Sequence, residues 1–239
     1  MRLLRRPSTS TLYCEDCLIT MRRLIEEGVK VDLLYTDPPY LISAVNGGGS
    51  MHKSGKLSSL KELHRDNIDE GYDIDAFGNL ALQLQDNINM YFWCNKKQIP
   101  AYFDFYVNKH KCKFDILFWT KTNPLPTYSN KYLSDTEYCL YFRKGGYCMP
   151  KSYEDAKTCY FAPINAKDKK LYGHPTCKPL DIVERHIRNS TKEGDLVFDP
   201  FMGSGTTGVA CKRLQRRFVG CEISPEYFRV AQDRVSKSE

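Results

Sequence analysis

No apolar run in this sequence approaches the roughly 20 residues that a bilayer-spanning helix needs, which excludes a membrane span as a reading. A zinc framework is lacking as well. Cys14 and Cys17 form a lone CxxC, with no second pair and no histidine at metal-ligand spacing. Most of the other cysteines (Cys94, Cys139, Cys211 and Cys221 among them) sit inside apolar runs, where a thiol behaves as a small hydrophobe. Scattered, unpaired thiols point to a reducing, cytoplasmic compartment. The opening Met1-Arg2-Leu3-Leu4-Arg5-Arg6 is basic, but it has no apolar stretch behind it and reads as a solvated arm rather than a targeting segment. Internal repeats are absent. Charge of one sign is only mildly in excess, 35 Lys+Arg against 29 Asp+Glu, so a polyanionic partner is suited without being demanded.

What is present is a globular chain of 239 residues, 41% hydrophobic, of a size for one domain over residues 1–239. Apolar periodicity alternates between short runs and helical spacing. Strands are expected at 11–13, 31–35, 88–94, 114–120, 137–143, 196–198 and 217–223. Helices are expected at 17–27, 75–87, 99–108, 179–189, 206–214 and 225–235. That alternation implies an α/β three-layer sandwich around a largely parallel sheet. Residues 41–74 hold three consecutive glycines and many polar residues, and read as a long mobile loop, of a length that is usually functional or disordered. Residues 144–172 read as irregular and basic.

One strand-to-helix junction carries a glycine turn, Phe201-Met202-Gly203-Ser204-Gly205-Thr206. Glycines there permit a tight turn and a close approach of backbone to ligand. About twenty residues on, the next strand ends in Glu222, placed to accept hydrogen bonds from ribose hydroxyls. The turn has neither the Lys-Ser/Thr of a phosphate loop nor the third glycine of a dinucleotide fingerprint. The expected ligand is therefore a nucleoside without a phosphate chain, and S-adenosylmethionine fits.

The more specific element is Asp37-Pro38-Pro39-Tyr40, at the end of the apolar run Val31–Tyr35. An exocyclic amine on adenine or cytosine is a poor nucleophile, because its lone pair is delocalised into the ring. Two acceptors on its two N–H groups favour a more tetrahedral nitrogen, with the lone pair aimed at an incoming methyl group. The Asp37 carboxylate and the Pro38 carbonyl supply such a pair. Consecutive prolines fix the backbone and offer no competing N–H. Tyr40 supplies a flat face for an extruded base.

On these motifs the chain resembles the beta-class, circularly permuted DNA amino-methyltransferases, in which the amine-methylation motif precedes the cofactor turn; the resemblance spans about residues 11–235. It implies a Rossmann-like methyltransferase fold, with a mostly parallel seven-stranded sheet of order 3-2-1-4-5-7-6 and strand 7 antiparallel. It assigns catalysis to Asp37, Pro38, Pro39 and Tyr40. S-adenosylmethionine binding falls to Asp199, Pro200, Phe201, Gly203, Ser204, Gly205, Thr206 and Thr207, with Glu222 and Ile223. Asp16 and Cys17, in the Glu15-Asp16-Cys17 stretch, match the acidic site for the cofactor adenine. In Gly173-His174-Pro175-Thr176-Cys177-Lys178-Pro179, the residues His174, Thr176 and Lys178 are placed near the methionine end.

The strand–turn–strand beginning Phe118-Trp119-Thr120-Lys121-Thr122-Asn123 resembles the family's base-pocket element, so Trp119 and Asn123 join Tyr40 as candidate substrate contacts. Lys144 and Lys151, in the basic 144–172 stretch, are candidate phosphate contacts in a short target-recognition segment. The implied reaction is methylation of adenine N6 in double-stranded DNA by a bacterial or phage-encoded enzyme. A homodimer and a cognate restriction enzyme are further expectations from the family, and no metal is expected. Cytosine N4 is the alternative target. RNA or protein amine methylation, or a non-catalytic DNA-binding relative, are the rival classes.

Overall fold

The computed structural model describes residues 10–40, 72–126, 128, 130–166 and 177–238. Its strands are β1 (Thr11–Tyr13), β2 (Leu33–Thr36), β3 (Ile88–Cys94), β4 (Lys113–Lys121), β5 (Thr136–Lys144), β6 (Cys159–Ala162), β7 (Leu196–Asp199) and β8 (Arg217–Cys221). The helices are α1 (Cys17–Glu26), α2 (Ile74–Gln83), α3 (Ile99–Tyr102), α4 (Tyr153–Ala156), α5 (Leu180–Ser190), α6 (Thr206–Arg213) and α7 (Pro225–Lys237). The helix expected at 99–108 is α only at its start. Over Phe103–Lys109 it runs on in wider π-helical turns.

All eight strands form one sheet, in the order β1-β8-β7-β2-β3-β5-β4-β6. Counted from β7 and carried round through the chain start, this order reads 3-2-1-4-5-7-6-8. The expected arrangement is therefore present with one strand more than the seven expected. β5 runs antiparallel to both its neighbours and every other pair is parallel. The added edge strand, β6, lies in the stretch that reads as irregular in the sequence. Its four residues alternate between exposed and half-buried, too short a pattern to stand out from a loop. Most of the 41–74 segment lies outside the described residues, and its last residue, Ile74, begins α2.

The strands' alternation divides the interior into two layers. Leu34, Met90, Phe92, Phe142 and Phe198 face α1, α2 and α3. Leu33, Tyr35, Tyr91, Trp93 and Val197 face α5, α6 and α7. Central strands are thus buried on both sides, which is why β2 reads as an unbroken apolar run. It stops where Pro38 and Pro39, lacking N–H groups, cannot extend a ladder. The carboxyl ends of β1, β8, β7, β2, β3, β4 and β6 consequently share one edge of the sheet.

Candidate active site

Along that edge lies a cleft of about 590 Å³, lined at one end by Asp16, Gly203 and Glu222 and at the other by Asp37 and Lys178. This is an ordinary size for a cofactor site, at the usual place in an open α/β sheet.

The glycine turn forms the first end. Gly203 and Gly205 have φ of 50° and 79°, conformations that glycine adopts without strain. The two differ in what they permit. A Cβ at Gly205 would lie 3.0 Å from the Ala231 Cβ, so this glycine admits α7 rather than a ligand. Glu222 closes the turn: one oxygen accepts from the Gly203 N–H at 2.9 Å and the other from the Ser224 N–H at 2.9 Å. Each oxygen keeps acceptor capacity toward the cleft. Asp16 caps α1 by accepting from the Leu18 N–H at 2.8 Å, which fixes its carboxylate at the rim. Cys17 is buried beside it, and burial first, then the Asp16 charge, push its thiol up to about 12. It is an inert wall. Among the described residues no cluster of His, Cys, Asp and Glu could hold a metal ion.

Asp199 lies beneath the turn. It accepts from the Thr36 hydroxyl at 2.9 Å, the Phe201 N–H at 3.1 Å and the Thr207 hydroxyl at 2.5 Å. Burial pushes its carboxyl up to about 7 against these bonds. Asp199 and Thr207 thus brace β2, β7 and the start of α6 together while lining the cleft. Phe201 stacks on Phe77, with centroids 5.7 Å apart, and gives the cleft an aromatic wall. An acidic rim, an aromatic wall and a tight backbone turn fit the S-adenosylmethionine expected from the sequence. Pro200, Ser204, Thr206 and Ile223 also line this end.

At the other end Asp37 accepts from the Tyr40 hydroxyl at 2.8 Å through one oxygen, and from the Lys178 ammonium through the other. Lys178 was expected at the methionine end of the cofactor. It lines the cleft, and its charge meets Asp37, with Glu137 3.4 Å away and the Tyr40 hydroxyl at 3.3 Å. Gln98, buried at the start of α3, donates to the Pro39 carbonyl at 3.0 Å and pins the diproline. Among the described residues nothing donates to the Pro38 carbonyl.

Four candidate substrate residues are not brought to this cleft. Trp119 is buried, and its indole N–H donates to the Ala162 carbonyl at 3.2 Å, so it packs the sheet. Asn123 is exposed and accepts from the Ile164 N–H at 2.7 Å, tying the β4–β5 turn to the segment after β6. Lys144 ends the antiparallel strand β5 and Lys151 lies beyond it, at the opposite edge of the sheet. There Lys144 donates to the His110 carbonyl and Lys151 lines a separate basic hollow with Arg188 and Arg216. His174 and Thr176 lie outside the described residues.

Three residues of the site were not legible as such. Glu137 is an acidic residue just ahead of the apolar run at 138–142 in β5, and its only signal was that position. Gln98 gave none. Arg234, on α7, is buried and donates into the glycine turn.

Comparison with known proteins accounts for this constellation. Residues 31–233 match the N6/N4 DNA methylase family. The type II methyltransferase M2.LlaDCHI of Lactococcus lactis subsp. cremoris is 34% identical over 226 residues, 87% of this chain and 82% of that one. M2.DpnII of Streptococcus pneumoniae is 34% identical over 224 residues, 86% of this chain and 82% of that one. Among solved structures, the M1.HpyAVI–SAM complex superposes with a TM-score of 0.68 at 28% identity, over 95% of this chain and 100% of that one. The cytosine-N4-specific PvuII DNA methyltransferase shares the fold, with a TM-score of 0.67 at 17% identity over 95% of this chain and 86% of that one. The chain belongs to the N6/N4 DNA methylase family and is a DNA methyltransferase.

Proposed function

We propose that this enzyme transfers a methyl group from S-adenosylmethionine to N6 of an adenine flipped out of double-stranded DNA, and that Asp37, Pro38, Pro39 and Tyr40 carry the reaction. The observation that supports this is the single cleft, which joins the Gly203–Glu222 turn to Asp37. S-adenosylmethionine supplies an electrophilic sulfonium methyl group. Asp37 and the Pro38 carbonyl each accept one N–H of the base, directing the nitrogen lone pair toward that methyl. With the cofactor bound, the N–C bond would form as the C–S bond breaks, S-adenosylhomocysteine would leave, and the nitrogen's proton would pass to the Asp37 carboxylate that already accepts it. Tyr40 holds the base by stacking, its ring positioned by its hydroxyl on Asp37. Glu222 and Asp16 take the nucleoside part of the cofactor, and the turn from Pro200 to Thr207 cradles it, with Ile223 at the exposed rim. The sequence resemblance assigns His174 and Thr176 to the methionine end of the cofactor.

Adenine is preferred because an aspartate heads the motif, although a carboxylate serves either amine. Mass analysis of nucleosides from DNA treated with the purified protein tests this. N6-methyladenine is expected, and N4-methylcytosine in its place overturns the choice. We read residues 1–239 as one methyltransferase domain acting in a bacterial or phage-infected cytoplasm. The short 144–172 segment leaves little room for base reading, so a short recognition sequence is expected, and mapping modified sites checks it. A homodimer and a cognate restriction enzyme belong to the same reading; sedimentation and a search for cleavage of the unmodified site test them.

A further inference from the structure

We propose that Lys178 is the positioning residue of the reaction: its buried ammonium holds Asp37 as an ionised, oriented acceptor for the base amine, rather than binding the cofactor. This rests on the reading of Asp37 as that acceptor. Lys178 is 6% exposed and reaches Asp37, with Tyr40 and Glu137 its other near partners. Glu137 is itself paired to Lys121 at 2.8 Å. Four charges thus alternate from the β4–β5 hairpin into the motif: Lys121, Glu137, Lys178, Asp37. Since Lys121 offsets part of the Glu137 charge, most of the Lys178 charge is left for Asp37. An ammonium that donates to one carboxylate oxygen also fixes the plane of the carboxylate, and with it the other oxygen, which accepts from the Tyr40 hydroxyl.

The carboxylate needs this help. A protonated Asp37 would turn one acceptor oxygen into a donor and lose its grip on an amine N–H. Burial pushes its carboxyl up, in opposition to the Lys178 charge. The charged groups acting on Asp37 are Lys178, from just before α5, and Glu137 from β5, while Asp199 from β7 feels the Asp37 charge in turn. Tyr40, Cys94 and Cys139 face it as neutral groups, their phenol and thiols all pushed up by burial. Lys178 is the one cation among them. For Lys178 itself, burial opposes the charge, while Asp37 and Glu137 outweigh it and keep the ammonium protonated.

The test is the pH profile of the single-turnover rate of tritium transfer into unmethylated bacterial genomic DNA, at saturating S-adenosylmethionine. Lys178→Met is expected to move the acid limb upward by about one pH unit or more, the range an opposite charge commands, while cofactor affinity stays within about threefold. Lys178→Arg restores the limb. Glu137→Gln removes an anion from the group and moves the limb the other way, toward lower pH. General structural damage does not produce opposite shifts, and the Glu137 variant carries the test alone if Lys178→Met fails to fold. An unmoved limb in either variant overturns the proposal, as does a tenfold loss of cofactor affinity in Lys178→Met with no limb shift. Asp37→Ala separates the two levels. If it still transfers methyl groups, the reading of Asp37 fails. If it is inactive while the limbs stay fixed, only the role of Lys178 fails.

Discussion

Arg234 reaches from the last helix into the glycine turn, and one guanidinium nitrogen meets the Ser204 carbonyl at 3.2 Å and its hydroxyl at 3.1 Å. The same nitrogen lies 3.0 Å from the Thr206 hydroxyl. The turn that cradles the cofactor is therefore held from α7, a helix that does not contribute to catalysis directly. Arg234→Met would leave these buried oxygens without their donor. A loss of about 1–3 kcal/mol in folding stability is expected, from the usual cost of stranding buried polar groups, with weaker cofactor binding. Urea denaturation and calorimetric titration with S-adenosylmethionine measure the two effects.

Glu222 joins two functions that a substitution can separate. Its oxygens hold the Gly203 and Ser224 N–H groups, and they border the cleft. Glu222→Gln keeps one acceptor oxygen but turns the other into a donor facing an N–H. Cofactor affinity is expected to fall by about tenfold or more, as a charged hydrogen bond is worth about 1.5–3 kcal/mol. The maximal transfer rate at saturating cofactor is expected to change less. Binding and rate measurements on the same preparation distinguish this from a loss of the catalytic step.

Two buried titrating groups give the stability of the fold opposed pH dependences. His186 stacks on Tyr91 at 5.0 Å and pairs with the Tyr35 hydroxyl at 3.2 Å; burial lowers it to about 3. The unfolded chain then binds the extra proton below about 6.5, so this group costs stability as pH falls. Asp199, pushed up to about 7, has the opposite sign: the folded state binds the proton first, and stability falls as pH rises from about 4 to 7. Between about pH 4 and 6.5 the two oppose each other. Asp199→Asn should expose the histidine slope, with stability falling more steeply toward acid than in the parent. His186→Phe should expose the aspartate slope, with stability falling toward neutrality. Denaturant midpoints across pH 4–8, each variant compared with the parent, show whether the signs are as argued.

The parts legible in the sequence are those written in local chemistry. Diproline after an apolar run stops a strand whatever surrounds it, and glycines at positive φ mark the turn at Gly203 and Gly205. Strand order followed from the resemblance, and the layered α/β class from the alternation of elements. The missing information was long-range. Lys178 and Asp37 are 141 residues apart, and nothing near Lys178 announces which carboxylate it meets. Gln98 and Arg234 act by reaching another element, so their sequence neighbours carry no mark of it. β6 was illegible because four residues at an edge bury too little to impose a pattern.

Strand direction also decides which basic residues can touch DNA. A strand parallel to β2 would have delivered Lys144 to the cleft edge, but β5 runs the other way and carries Lys144 and Lys151 to the far edge. The double variant Lys144→Ala with Lys151→Ala is therefore expected to leave the salt dependence of DNA binding and the transfer rate within about twofold of the parent. Two lost phosphate contacts would instead lower the log–log salt slope by about two. Trp119→Phe makes the complementary case. Its indole N–H bonds the Ala162 carbonyl between β4 and β6, so the variant should lose about 1–3 kcal/mol of stability while transfer per folded molecule persists. A fall in transfer without a fall in stability would return Trp119 to the base pocket. A reduced salt slope in the lysine variant would mean that DNA wraps past the sheet edge to reach its far side.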